Sequence, residues 1–173
     1  MFRSRSAKAG LLAAAVLGSC GAAPIAPELA RPQPVFRAEQ FFAGRTRGEG
    51  TLKIVLKDAE PIRVEGFGRV APDGTLILDQ TVWRGSRAPQ KRQWRIRAVG
   101  PNRYNGLLSD ATDRVRGDVQ GNRLYLTYPM KGGVKAEQWI YLQPDGLTAL
   151  NRMRITKLGV QVARLDETIR KLD

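Results

Sequence analysis

Residues 51–83 read TLKIVLKDAEPIRVEGFGRVAPDGTLILDQTVW, and the pattern of this stretch decides the fold class. Leu52, Ile54 and Leu56 alternate with Lys53 and Lys57, and Ile62, Val64 and Val70 alternate with Arg63, Glu65 and Arg69. A period of two puts apolar side chains on one face of a strand and charges on the other. Asp73-Gly74 is a strong hairpin signal, and Leu76, Leu78 and Val82 resume the alternation through Trp83. Gly66 and Gly68, inside one strand, suit the bends of a sheet that curls.

The same grammar continues downstream. Arg92 to Val99 places Trp94, Ile96 and Ala98 on one face and Arg95 and Arg97 on the other. Short strands over 104–108 and 115–119 are set off by Pro101-Asn102 and Gly121-Asn122, and strands over 124–128, 136–142 and 149–156 follow. Asp145-Gly146 marks a further turn, and the spacing of 160–170 fits a strand or a final helix. Upstream, FRAEQFF (36–42) reads as one or two helical turns ended by Gly44, with Phe36, Phe41 and Phe42 as plugs against the fold. The predicted class is all-β. It is an antiparallel up-and-down meander of about 8–10 strands of about seven residues, closed into a β-barrel so that no sheet edge is left open, with a short N-terminal helix. Charges on the outward face point to a soluble barrel rather than an outer-membrane pore.

The start of the chain, MFRSRSAKAGLLAAAVLGSCG (1–21), has the layout of an export signal. Arg3, Arg5 and Lys8 precede a short apolar core, and small residues lead to Cys20, the only cysteine. The apolar run is too short for a permanent membrane helix. The arrangement resembles a bacterial lipobox, in which the cysteine thiol is acylated and the chain is cut just before it. Three segments are expected: a signal peptide at 1–19, a lipid-anchored Cys20 with a flexible Ala/Pro tether to 34, and a barrel domain at 35–173. Gly21 is not the Asp that commonly retains lipoproteins in the inner membrane, so the expected address is the outer membrane, facing the periplasm.

Removing 1–19 takes three of the 29 Lys and Arg and none of the 16 Asp and Glu, leaving a net charge of +10. An exported protein this basic is expected to meet anionic lipid rather than nucleic acid. There is no histidine, and the one cysteine is assigned to the anchor, so a metal site, a cofactor and a cysteine nucleophile are not expected. An enzyme is not expected either.

Several runs resemble one family. FFAG (41–44), TLILDQTVWRG (75–85), QWRI (93–96), DRVRGDVQGN (113–122), QWIYL (138–142) and NRMRITKLGV (151–160) are similar, in this order, to bacterial lipoproteins grouped as domain-of-unknown-function family 3833. The likeness extends from Phe36 to Lys171. The loop RGSRAPQ (84–90) departs from it, since the family is expected to have an acidic-glycine turn there. The resemblance implies a lipid-anchored envelope protein with a lipocalin-like barrel, and it implies no established activity.

The candidate binding residues are Trp83, Arg92, Trp94, Arg95 and Arg97, a basic-aromatic run whose guanidinium forks suit phosphate or carboxylate heads. The alternation itself offers a plainer reading, with Trp94 in the core and the arginines in water. Asp110, Asp113 and Asp118 lie close together but lack the Glu of a calcium loop and read as turn residues. Tyr104, Tyr125, Tyr128 and Tyr141 are good strand residues that could also stack on a ligand. Asn151 reads as a strand-end residue. The expected function is binding of an apolar or anionic amphipathic, lipid-like molecule in or at the mouth of the barrel. The alternative is an assembly lipoprotein that acts through its basic surface, its barrel filled by Trp94, Phe67 and the tyrosines.

Overall fold

In the computed structural model, which describes residues 25–173, ten antiparallel strands join in sequence order into one closed barrel. They are β1 (Gly44–Ile54), β2 (Glu60–Val70), β3 (Leu76–Arg84), β4 (Gln90–Gly100), β5 (Arg103–Leu108), β6 (Val115–Gln120), β7 (Arg123–Met130), β8 (Val134–Leu142), β9 (Thr148–Lys157) and β10 (Val160–Lys171). β10 pairs with β1 over Thr46↔Lys171 to Ile54↔Ala163, so no strand edge remains for another chain to add to. The stretch 160–170, open between strand and helix from its spacing, is this closing strand. Strands run from 6 to 12 residues, and half of them have ten or more, longer than expected. Polar residues at their ends hide those ends from a hydrophobic pattern. Cys20 and the signal peptide expected at 1–19 lie outside the described residues.

Alternation sets the inside of the barrel. Leu52, Leu76, Leu78, Trp94, Ile96, Tyr104, Leu124, Leu126, Tyr128, Ile140 and Leu165 are all buried in one cluster. The outward rows carry Arg, Lys, Asp and Glu. The register also corrects several expectations. Gly66 and Gly68 hold the inward positions of β2, so Phe67 points outward and is 55% exposed instead of filling the core. Val70 and Ala98 are exposed near strand ends, and Leu56 leaves β1 altogether and stands in the turn.

One end of the barrel is plugged. A single helical turn, α1 (Ala38–Phe41), packs Phe36, Phe41 and Phe42 into it with ring centroids 4.9–6.2 Å apart. Tyr104 reaches up to receive Ala38 N–H on its hydroxyl at 3.3 Å and donates to Glu39 at 2.8 Å. A Cβ on Gly68 would overlap the Phe42 carbonyl oxygen, so only glycine lets the plug approach the wall.

The chain leading to the plug is clasped rather than free. The Asn122 side chain accepts from Arg31 N–H at 2.7 Å and donates to Leu29 and Leu142 carbonyls at 3.1 and 2.8 Å. Asn122 N–H donates to Arg31 O at 2.9 Å, and Tyr141 O–H donates to Ile25 O at 2.6 Å. The tether expected over 20–34 is therefore strapped to the barrel over its described part, 25–34. An Ala/Pro composition does not reveal partners supplied by a buried Asn ninety residues away.

Candidate functional site

Strand parity divides the basic-aromatic run. The pairs Gly66↔Gln80, Gln80↔Arg92 and Leu78↔Trp94 place Gln80, Arg92 and Trp94 on the inward rows. Arg95 lies opposite Ile77 and Leu107 on an outward row, and Arg97 and Trp83 share its parity. Of the five candidate residues, the structure brings together Arg92 and Trp94 only. Trp83 stands on the outer wall under the Arg63 guanidinium, 4.3 Å from its ring centre, and Arg95 and Arg97 face water. The common rim expected from the sequence does not form, because neighbours one residue apart on a strand face opposite sides.

Inside, Gln80 organises the pair. Its Oε1 accepts from Arg92 Nε at 2.8 Å and from Trp94 Nε1 at 2.9 Å. The Arg92 guanidinium lies 5.7 Å from the Trp94 ring centre, within cation–π range. Tyr128 meets Trp94 edge-on at 5.3 Å and donates to Gln138 Oε1 at 3.3 Å. Burial pushes the Tyr128 phenol up to about 12, so it stays a donor at any physiological pH.

Gln80, Arg92, Trp94 and Gln138 border a cavity of about 40 Å³, completed by Asn151, Glu167 and apolar side chains such as Leu78 and Ile96. Asn151 Nδ2 donates to Glu167 Oε2 at 2.8 Å, while Asn151 Oδ1 is buried and has no donor among the described residues. Glu167 is buried, and a Cβ on Gly48 would overlap its carboxyl, so the glycine makes room for it. Burial pushes the Glu167 carboxyl above the usual range, against weaker pulls from the Asn151 amide and the Arg92 charge. The cluster thus offers a cation, a carboxyl disposed to keep its proton, and an amide oxygen in need of a donor. It can hold a group that both accepts and donates hydrogen bonds, such as a hydroxyl or a carboxylic acid.

Gln80, Gln138, Asn151 and Glu167 were not among the sequence candidates, yet a signal marks each. Every one is a polar residue at an inward position of its strand: Gln80 between Leu78 and Val82, Gln138 between Ala136 and Ile140, Asn151 between Ala149 and Met153, Glu167 between Leu165 and Ile169. Asn151 is mid-strand rather than at a strand end.

The outer wall handles a second carboxylate differently. Glu137 on β8 accepts from Tyr125 at 2.8 Å, Lys135 at 3.2 Å and Arg154 at 3.1 Å. Burial alone would raise its pKa, and those three donors outweigh it and hold the group below its usual value. Among the tyrosines, Tyr104 and Tyr128 point in, while Tyr125 and Tyr141 sit on the outer wall, Tyr125 5.1 Å from the Trp139 ring. Asp110 and Asp113 lie in the β5–β6 loop, and Asp118 faces Arg123 at 3.5 Å. Among the described residues, no three His, Cys, Asp or Glu side chains converge on a point suited to a metal ion. A shallow trough of about 790 Å³ crosses β1 to β4 on the outer wall, lined by Arg45, Arg47, Phe67 and Lys91 among others.

The barrel has counterparts among solved structures. The S-type phycobiliprotein lyase CPES from Guillardia theta superposes with a TM-score of 0.63 at 12% identity, over 82% of this chain and 95% of that one. A protein of unknown function from the DUF3598 family of Nostoc punctiforme gives 0.59 at 14% identity, over 81% of this chain and 51% of that one. These likenesses show the fold. No curated protein matches the chain in sequence. A family model described as "Protein of unknown function (DUF3833)" matches residues 14–171.

Proposed function

This chain belongs to the DUF3833 family, and on that footing we propose that it is an exported, lipid-anchored envelope protein that binds a small amphipathic molecule inside its barrel. In this reading Cys20 carries the acyl chains, and the protein sits on the outer membrane facing the periplasm. It works by binding rather than by catalysis. One observation carries the site. Arg92, alone of the candidate arginines, points inward, over the Trp94 ring, beside a cavity that holds a buried carboxyl and an amide oxygen with no partner among the described residues. The ligand's head is then a hydroxyl or carboxyl group, accepting from Arg92 and donating to Asn151 Oδ1. The size of the cavity restricts the ligand. About 40 Å³ holds a few water-sized groups, so the head enters and a longer tail requires the packed side chains around it to yield.

Native mass spectrometry of the protein purified gently from bacterial envelopes tests this. A releasable small-molecule adduct is expected on the parent and on Arg95→Gln, whose side chain is outside, and not on Arg92→Gln. An adduct that survives Arg92→Gln, or a bare mass in every sample, overturns the interior site. Cys20→Ser is expected to remove the acyl mass and release the protein from the membrane fraction.

The small interior favours a second reading, an assembly protein with a filled barrel that acts through its outer wall, where the trough beside Phe67 lies. A bare native mass together with a co-purifying envelope protein that is lost on Phe67→Ser supports that reading.

A further inference from the structure

Two hairpin tips stand side by side at the end of the barrel opposite the plug. They are the β1–β2 turn and the β9–β10 turn, tied together by Val55 N–H donating to Val162 O at 3.0 Å. Their apices are leucines: Leu56 is 100% exposed and Leu158 93% exposed, flanked by Val55 and Val160 at 53% and 67%. Both leucines have positive φ, 62° and 50°, a conformation that suits Gly or Asn and strains a branched side chain. The β9–β10 loop is only Leu158-Gly159, both with positive φ, where a two-residue hairpin ordinarily takes Asn-Gly or Asp-Gly. Neither local preference nor packing explains leucine at these positions.

A collar of cations surrounds them. Lys53, Lys57 and Lys157 are exposed and form no ion pair among the described residues, and Lys53 Nζ donates to Lys57 O at 2.6 Å, closing the first tip. Asp58 is the one acid in the two turns. Two such tips facing one another would bring like charges together, which disfavours a second copy as occupant.

We propose that the paired tips are a membrane-docking point: Leu56 and Leu158, with Val55 and Val160, enter the interfacial layer of an anionic bilayer while Lys53, Lys57 and Lys157 meet the lipid headgroups. Apolar side chains gain by leaving water, and each lysine near an anionic surface adds attraction that salt screens. This surface is separate from the interior cavity and stands whether or not that cavity takes a ligand.

The full chain with Cys20→Ser tests it, because a single new cysteine can then carry a polarity-sensitive fluorophore. The label is placed through Leu158→Cys at the tip or through Pro72→Cys in the β2–β3 turn at the far end. With vesicles of equal parts phosphatidylglycerol and phosphatidylcholine, the tip label is expected to shift to the blue and the far-end label to stay unchanged. Phosphatidylcholine alone should give a much smaller shift. Adding Lys57→Glu and Lys157→Glu should weaken the vesicle affinity about tenfold or more, whereas Arg103→Glu with Arg170→Glu, exposed at the plugged end, should leave it nearly unchanged. Equal shifts at both labels, no shift at the tip, or equal losses from both charge reversals would overturn the proposal. So would a blue shift that needs no vesicles and follows protein concentration, which would mean a second copy.

Discussion

The two ends of this barrel are built on opposite principles. At one end the turns are Asp73-Gly74, Pro101-Asn102, Gly121-Asn122 and Asp145-Gly146, and Phe36, Phe41 and Phe42 are turned inward beneath them. At the other end Lys57, Arg87 and Lys131 lie in the turns and Lys157 beside one, and two leucines are turned outward at backbone angles that disfavour them. The first end follows local and global preference together, as stability requires. The second departs from both, and a departure without compensating contacts among the described residues points to contacts outside them.

Four variants sharpen or break this contrast. The largest loss belongs to the plug: Phe36→Ala should cost about 3–5 kcal/mol in denaturant unfolding, since the ring is wholly buried and its neighbours are rigid strands. A cost below about 1 kcal/mol would mean the plug is not part of the folded core. Next comes the clasp. Asn122→Ala leaves the Arg31 N–H and the Leu29 and Leu142 carbonyls short of partners and should cost about 1–3 kcal/mol. Amide exchange should rise first over residues 25–36, ahead of the barrel strands.

Glu167→Gln should act in the other direction. The folded protein holds a proton on Glu167 more tightly than the unfolded chain does. Its stability is therefore full below the ordinary glutamate value of 4.5 and declines as pH rises from there through the raised folded value. Removing the charge should flatten that decline and raise the melting temperature at neutral pH. A steeper decline in the variant would contradict the assignment. The smallest effect is expected at the tips. Leu56→Gly with Leu158→Asn relieves two strained backbones and should leave stability unchanged or raise it by about 0.5–1 kcal/mol. A clear loss of stability would mean that the leucines serve the fold after all.

The barrel was legible because apolar and more polar residues mostly alternate along its strands, as from Leu52 to Ile54 and from Leu124 to Tyr128, and because Asp-Gly and Asn turns separate them. The aromatic plug was legible too, since three phenylalanines within seven residues have few other uses in a short segment. The site was only half legible. A run such as WRGSRAPQKRQWRIR looks like one patch when read along the chain, but a strand sends successive residues to opposite faces, and Trp83 and Arg92 part company at once. The polar interior was missed for a related reason. Glu167 and Asn151 carry the parity of the core, and attention to charge clusters rather than to parity passes over them. Phe67 shows the reverse error, an aromatic residue assigned to the core although it stands between two glycines that hold the inward positions.

The three tryptophans report on the binding site most directly, because Trp94 alone is inside the barrel while Trp83 and Trp139 lie on its outer wall. Indole N–H resonances of the ¹⁵N-labelled protein would be followed as an organic extract of the bacterial envelope is added. Binding at Arg92 predicts that the Trp94 signal, whose N–H is bonded to Gln80, moves and saturates while the other two hold still. Movement of Trp83 or Trp139 with a stationary Trp94 would contradict the interior site and place recognition on the outer wall.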